Sequence, residues 1–252
     1  MKILVDGQLI EYRDEGSGRV LLLLHGWGSN LNTFDQITSH LVQNFRVIRL
    51  NFPGFGKSPK PVDDWSVRDY AKNTRDLLNK LKIQEIYAVI AHSFGGRVVI
   101  KGVGLNYLQP QKVVLIGAAG IKSRQPIKKN IYKGIAKVGK LATSLPVINK
   151  IQPALRKQLY STSGNMDYLN SGQMQKIFLN AINEDLSSEV LLITQPTLLI
   201  WGSNDIETPL SDANLMLKSL HRGRLVVIPD AGHFVYTESY DKVIKELDEF
   251  LI

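Results

Sequence analysis

The sequence predicts an α/β fold in which a mostly parallel central sheet is flanked by helices and carries an inserted helical cap. Apolar runs without alternation indicate strands buried on both faces, and helix-patterned segments separate these runs. Strands that alternate with helices favour a parallel sheet covered on both sides. Because ligands of such sheets bind beyond the carboxyl ends of the strands, functional residues should lie in the loops that follow them.

Composition is that of an ordinary globular protein, with 44% hydrophobic and 21% charged residues among 252. The absence of cysteine excludes disulfides, thiolate metal sites and a cysteine nucleophile, and it suits a reducing compartment. The first residues carry acids and a turn signal where a secretory leader would be apolar. We therefore expect a cytoplasmic protein. Its apolar runs are too short for stable membrane insertion.

The chain is predicted to open with a β-hairpin, because Asp6-Gly7 suits a tight turn between two short β-like runs. Six further strands are predicted at residues 20–24, 45–50, 86–91, 112–116, 196–201 and 224–228. Each of these runs is followed closely by glycine, proline, asparagine or aspartate, which end strands.

Helices are predicted between the strands, at residues 33–41, 66–81, 94–105, 210–220 and 239–251. In the second of them Ser66 and Asp69 have the spacing of a capping box. Tyr70, Leu77 and Leu78 then recur at helical spacing, which indicates one buried face.

The chain divides into a predicted core, residues 1–121 and 193–252, and a predicted cap, residues 122–192. The cap segment is helix-patterned and basic. Residues 121–160 contain no acid, and their basic residues are Lys122, Arg124, Lys128, Lys129, Lys133, Lys137, Lys140, Lys150, Arg156 and Lys157. Apolar residues recur every three or four positions over residues 127–141, which predicts a basic amphipathic helix. Packing of this helix on the core is favoured, and contact with a membrane surface stays open.

The net charge of +8 comes mainly from the cap segment. It permits weak attraction to nucleic acid, but no binding motif accompanies the basic residues, so we expect no nucleic-acid partner. The histidines do not cluster with carboxylates as metal ligands do, and Pro53-Gly54-Phe55-Gly56 does not match a dinucleotide fingerprint. We therefore predict neither a metal nor a cofactor. Composition leaves the oligomeric state open.

The segment from Ala91 to Gly96 carries the strongest chemical signal. It follows an apolar run, precedes a helix-like one, and matches the pattern G-x-S-x-G around Ser93, with Ala91 in place of the first glycine. Small residues two positions before and after the serine allow a sharp turn that exposes its hydroxyl. We expect alanine to be tolerated, because this position requires smallness more than a positive φ.

A serine hydroxyl needs a general base to become a nucleophile at neutral pH. Of the five histidines, His25 lies in the glycine-rich turn His25-Gly26-Trp27-Gly28, and His92 directly precedes Ser93. His40 and His221 lie in or beside helix-like segments. His233 follows the last predicted strand, where a loop can bring it to Ser93. It is the predicted base.

The base in turn needs a group that fixes its tautomer. Asp205 follows the preceding strand in the sequence Trp201-Gly202-Ser203-Asn204-Asp205 and is the predicted acid. Glu207 and Asp230 are its rivals, interpreted as loop-capping or solvated groups.

A tetrahedral intermediate requires two fixed hydrogen-bond donors for its oxyanion. The backbone N–H of Phe94, directly after the serine, is one candidate. The turn His25-Gly26-Trp27-Gly28 follows another strand, and the backbone N–H of Trp27 is the second.

Together these motifs resemble the α/β-hydrolase fold superfamily, in particular its capped esterases and C–C hydrolases. The resemblance covers nearly the whole chain outside the cap and includes the order serine, aspartate, histidine. Asn51 stands where this family often has an aspartate, which leaves the bonding of that loop in question.

The resemblance implies a serine hydrolase, and a carboxylesterase acting on small or medium acyl esters is the first interpretation. Serine at position 93 argues against dehalogenases and epoxide hydrolases of the same fold, which use aspartate. A C–C hydrolase of meta-cleavage products is an alternative, but that group commonly has asparagine and tryptophan where this chain has His92 and Phe234. A non-catalytic ligand-binding protein is the other alternative.

Overall fold

A central eight-stranded sheet organises the computed structural model, which describes residues 1–121 and 172–252. Its strands are β1 (Lys2–Val5), β2 (Gln8–Gly16), β3 (Val20–Leu24), β4 (Arg46–Leu50), β5 (Ile86–His92), β6 (Pro110–Ile116), β7 (Thr197–Gly202) and β8 (Gly223–Ile228). They lie in the order β1-β2-β4-β3-β5-β6-β7-β8. Only β2 runs antiparallel to its neighbours, and β3 to β8 are parallel. This architecture confirms the predicted fold class.

Helices cover both faces of the sheet. Those in the described residues are α1 (Asp35–Leu41), α2 (Val67–Lys80), α3 (Phe94–Gly104), α4 (Gln175–Asn183), α5 (Ser187–Val190), α6 (Leu210–Ser219), α7 (Val235–Glu238) and α8 (Tyr240–Leu251). One apolar core lies between the sheet and α2 to α6, and a second lies beneath α1, α7 and α8. Successive residues of β3 point into opposite cores, as Leu22 and Leu23 do. Within these two ranges, the helices are too short or too polar to cross a membrane.

The amino-terminal hairpin has the predicted turn. Asp6 and Gly7 adopt φ values of 46° and 80°, which asparagine, aspartate and glycine tolerate best. The predicted capping box is also present, since the side chain of Ser66 accepts from the third residue of α2 and Asp69 binds the Ser66 backbone. Local sequence therefore determines both features.

Strand β8 differs from its prediction. Its apolar run was expected to be buried on both faces, but β8 is the edge strand of the sheet, and Val227 is 38% exposed. Leu225 and Val226 are only partly buried. The prediction of burial on both faces is wrong here, because an apolar run does not reveal whether another strand follows it in the sheet.

Helix α3 packs unusually close to the ends of two strands. A Cβ atom on Gly95 would overlap the carbonyl oxygen of Leu24 at the end of β3, and one on Gly96 would overlap the Ala118 side chain. These contacts set where α3 begins, and therefore where Ser93 lies.

The predicted cap is described only at its carboxyl end. Residues 122–171, including the predicted amphipathic helix at 127–141, lie outside the described residues. Helices α4 and α5 follow, and α3 binds this part of the chain. Arg97 Nη1 donates to the carbonyl of Glu184 at 2.8 Å, and Lys101 pairs with the carboxylates of Glu184 and Glu189.

The close packing of α3 generates a stability prediction. Gly95→Ala should destabilise the protein by about 2 kcal/mol or more, because a backbone carbonyl cannot move aside for the added methyl group. Gly104→Ala, in the same helix, is the matched control. There the methyl group would meet the flexible Glu189 side chain, and the cost should be small. Urea unfolding of both variants measures the difference, and equal stabilities would contradict it.

Candidate active site

Ser93 lies in a strained turn between β5 and α3. Its φ of 49° and ψ of −112° are unfavourable for a residue with a side chain. The strain is held by backbone hydrogen bonds, since Ser93 N–H donates to Ile116 and the Ser93 carbonyl accepts from Gly96 and Ala119. Its side chain remains partly exposed although both sequence neighbours are buried. Ala91 is fully buried within β5, where smallness is required.

Asp205 is completely engaged in the turn that follows β7. Its Oδ1 accepts the backbone N–H groups of Glu207 and Thr208 at 3.0 and 2.9 Å, and its Oδ2 accepts the Thr208 hydroxyl at 2.8 Å and His233 Nδ1 at 2.9 Å. Burial raises the pKa of this carboxyl, but the His233 and Thr208 interactions outweigh burial, so the pKa lies below its ordinary value of 3.8. Asp205 is therefore a carboxylate at neutral pH.

His233 occupies the loop after β8, and Asp205 fixes its orientation. The hydrogen bond to the carboxylate keeps a proton on Nδ1, so Nε2 on the other side of the neutral ring carries a lone pair. The loop is fastened by Glu238, which accepts the backbone N–H groups of Gly232 and Phe234 at 2.5 and 3.1 Å. Glu238 was not predicted as a functional residue, because its only signal in the sequence is an acid at the end of a very short helix.

His92 connects the serine turn to the histidine loop. Its Nε2 donates to the backbone carbonyl of His233 at 3.0 Å, and the two ring centroids are 4.6 Å apart. Burial lowers the pKa of His92 to about 3. Its Nδ1 has no hydrogen-bond partner in the described part of the chain. His92 is thus a neutral ring that positions the backbone of His233 beside Ser93.

The turn after β3 lies against the serine. A Cβ atom on Gly26 would come within 3.2 Å of Ser93 Cβ, which shows how closely the two turns approach. His25 supports this turn, since its Nδ1 donates to the Gly26 carbonyl at 2.7 Å and its Nε2 accepts the Phe52 N–H at 3.1 Å. Burial lowers the pKa of His25 to about 4.

The two residues predicted to supply oxyanion donors are neighbours in space. The Trp27 and Phe94 rings meet edge to face, with centroids 5.2 Å apart. Trp27 also contacts Phe55 in the loop after β4 and Phe178 in α4. An aromatic cluster therefore joins the core to the described end of the predicted cap. The assignment of the two backbone N–H groups as oxyanion donors stays a prediction.

Gly117 constrains the positions of Asp205 and His233, which was not predicted from the sequence. It directly follows β6 with a φ of 48°, and a Cβ atom there would lie 3.1 Å from Asp205 Oδ2 and 3.3 Å from His233 Nδ1. Its carbonyl oxygen lies 3.0 Å from the Thr208 hydroxyl oxygen. A side chain here would push the acid and the histidine apart, and the only sequence signal is a glycine after an apolar run.

The rival acids occupy different places. Asp230 is exposed on the histidine loop. Glu207 lies across the imidazole from Asp205, with its Oε2 3.4 Å from His233 Nε2. The structure therefore gives His233 one carboxylate on each side of its ring, of which only Asp205 is buried.

Asn51 is bonded in full, which answers the question raised by the missing aspartate. Its Oδ1 accepts the Leu31 N–H at 2.6 Å, and its Nδ2 donates to the carboxylate of Glu11. Glu11 also accepts the Lys57 N–H at 3.0 Å. Asparagine suits this position because its side-chain oxygen must accept one hydrogen bond and its side-chain nitrogen must donate another.

The arrangement suits proton transfer at a nucleophilic serine. A carboxylate fixes one tautomer of an imidazole, and that imidazole lies against the residue preceding a strained, partly exposed serine. Within residues 1–121 and 172–252, the structure contains no group of three or more histidine or carboxylate side chains that would hold a metal ion.

Comparison with known proteins identifies the family of the fold. The model of a family described as "Alpha/beta hydrolase family" matches residues 21–246. The pimeloyl-[acyl-carrier protein] methyl ester esterase of Nitrosomonas europaea is 27% identical over 246 residues, covering 89% of this chain and 92% of that protein.

Solved structures share the fold at lower sequence identity. The esterase of Exiguobacterium antarcticum superimposes with a TM-score of 0.77 at 24% identity, covering 99% of this chain and 98% of that one. The meta-cleavage product hydrolase of Pseudomonas fluorescens IP01 gives a TM-score of 0.74 at 22% identity, with coverages of 99% and 96%. These similarities concern the fold.

The hydrogen bonds predict opposite tautomers for two buried histidines. His25 should carry its proton on Nδ1 and His92 on Nε2, and both should stay neutral from about pH 8 down to about pH 5, because burial lowers both pKa values. Long-range 1H–15N correlation spectra report both properties, and variants at His40 and His221 assist assignment. Titration of either ring near 6.5, or the same tautomer in both, would contradict the prediction.

Proposed function

Because the chain belongs to the alpha/beta hydrolase family, we propose that it is a serine hydrolase with Ser93 as nucleophile, His233 as base and Asp205 as the orienting acid. Within that class we propose a carboxylesterase that cleaves small or medium acyl esters through an acyl-enzyme intermediate. The observation that carries the proposal is the buried Asp205–His233 pair beside the strained turn of Ser93.

In the first half of the reaction, Ser93 Oγ attacks the ester carbonyl carbon while His233 Nε2 accepts the hydroxyl proton. The imidazolium that forms is stabilised by the carboxylate of Asp205. The carbonyl oxygen becomes an oxyanion, which the backbone N–H groups of Trp27 and Phe94 are proposed to bind. A fixed donor of this kind contributes about 3 kcal/mol to stabilisation of the transition state.

In the second half, the His233 Nε2 proton passes to the alcohol oxygen as the carbon–oxygen bond breaks, which leaves the acyl group on Ser93. A water molecule then gives a proton to Nε2 and attacks the acyl carbonyl. Collapse of this second intermediate returns the proton to Ser93 and releases the acid. Atoms and charge balance without a cofactor.

Residues around the site suit an uncharged acyl group. Ile206 and Phe234 flank Asp205 and His233 in the sequence and are 77% and 44% exposed. Trp27, which is partly exposed and packs on Phe178, supplies further apolar surface in the turn that lies against Ser93. We propose that residues 122–192 form a lid over this surface and that the substrate is a small molecule.

The proposal predicts that Ser93→Ala abolishes hydrolysis of p-nitrophenyl acetate, butyrate and octanoate. Loss of the nucleophile should lower kcat by at least about 1000-fold, since the residues of a triad act as a unit. Ser39→Ala, a serine exchange in α1 away from the site, is the control and should leave the rates unchanged.

Other outcomes separate the alternatives. Faster cleavage of a vinylogous 1,5-diketone than of any ester would replace the esterase proposal with a C–C hydrolase. Equal activity in the wild type and in Ser93→Ala would contradict the serine mechanism. Binding of these compounds without turnover would favour a non-catalytic member of the family.

A further inference from the structure

Glu207 is an acidic side chain at the site that the proposed mechanism does not use. Its backbone N–H donates to Asp205 Oδ1 at 3.0 Å, so its main chain is fixed in the same turn as the orienting acid. Its side chain extends to the opposite edge of the imidazole, where Oε2 lies 3.4 Å from His233 Nε2. The carboxylate therefore faces the nitrogen that delivers a proton to the departing alcohol.

The contact between Glu207 and Nε2 is longer than a strong hydrogen bond. Strong hydrogen bonds between a charged donor and a carboxylate are about 2.7–2.9 Å long, whereas this separation is 3.4 Å. Glu207 also remains 41% exposed at its side chain, unlike Asp205, which is fully buried. Glu207 is thus a partly exposed carboxylate beside Nε2 of His233.

Within the described part of the chain, the Glu207 carboxylate has no permanent counterion. Among the described residues, His233 is the only basic group within 4.0 Å of the Glu207 carboxylate, and the mechanism requires that ring to be neutral before reaction. Phe234, which follows His233, offers an exposed aromatic ring whose centroid is 5.5 Å from the imidazole. An alkylammonium group is attracted both by a carboxylate and by the face of an aromatic ring.

We propose that Glu207 is a specificity-determining residue that favours esters whose alcohol carries a positive charge close to the ester oxygen, as in esters of amino alcohols. The inference rests on the proposed function, because Nε2 faces the alcohol only if His233 is the catalytic base. A charge on the acyl side would lie on the other side of the scissile bond, farther from Glu207.

The test compares esters of equal shape and different charge. Butyrylcholine and 3,3-dimethylbutyl butyrate differ only by a nitrogen cation in place of a carbon in the alcohol. The ratio of their kcat/KM values should fall about 5- to 10-fold in Glu207→Gln, the effect of removing one partly screened charge near 5 Å. Glu207→Lys should lower the ratio further.

Matched controls test whether the effect depends on the position of the acid in the protein and of the cation in the ester. Asp230→Asn removes an exposed acid from the neighbouring loop and should leave the ratio unchanged. Methyl 4-(trimethylammonio)butanoate and methyl 5,5-dimethylhexanoate carry the same exchange on the acyl side, and Glu207→Gln should alter their ratio much less. Melting temperatures of the variants verify that they are folded.

The outcomes distinguish failure of this inference from failure of the proposed esterase function. If the wild type hydrolyses neutral esters but the alcohol-side ratio is the same in Glu207→Gln, the inference is overturned and the esterase proposal stands. A preference for anionic esters that survives Glu207→Gln also overturns it, and would assign selectivity to the basic residues of the cap segment. If the wild type hydrolyses no ester, both proposals fail.

Discussion

The loops that follow five of the strands pack together at the carboxyl edge of the sheet. At several contact points they are so close that only glycine fits. Gly95 has no room for a Cβ atom beside the Leu24 carbonyl, and Gly202 has none beside the carbonyl groups of residues 231 and 232. Gly117 approaches the carboxylate of Asp205 and the ring of His233 in the same way. Around the site, backbone therefore packs directly against backbone. The three proposed catalytic residues come from separate loops, yet rigid contacts determine their separation, which is what preorganised catalysis requires.

Burial and hydrogen bonding give the polar groups of this edge their protonation states. Asp205 is ionised because four hydrogen bonds compensate for the loss of water. His25 and His92 are neutral because burial outweighs the single hydrogen bond that each ring N–H donates to a carbonyl of a functional loop. Two histidines outside the proposed triad therefore act as neutral supports, one for the turn of Trp27 and one for the loop of His233.

Much of this site follows from the sequence because parallel strands bring their carboxyl ends together. Six apolar runs, each followed closely by glycine, proline, asparagine or aspartate, predicted buried strands, of which five are buried, and they located the loops of Ser93, Asp205 and His233. The burial of β8 was mispredicted because edge position depends on the order of strands. The contacts of Glu207 and Glu238 were not predicted. A shift of one residue in a loop changes which edge of a ring a side chain reaches. The amphipathic pattern at 127–141 lies in the part of the chain that the structure does not describe.

The pairing of Asn51 with Glu11 has a consequence for sequence change in this family. Asn51 accepts from Leu31 and donates to Glu11, which in turn binds the Lys57 backbone. An aspartate at position 51 would retain the first bond but set two carboxylates against each other. Replacing residue 51 alone is therefore disfavoured, whereas exchange at positions 11 and 51 together is permitted. The two positions form an epistatic pair, so their identities should covary among homologues, and grafting one loop from a relative requires the matching residue of β2.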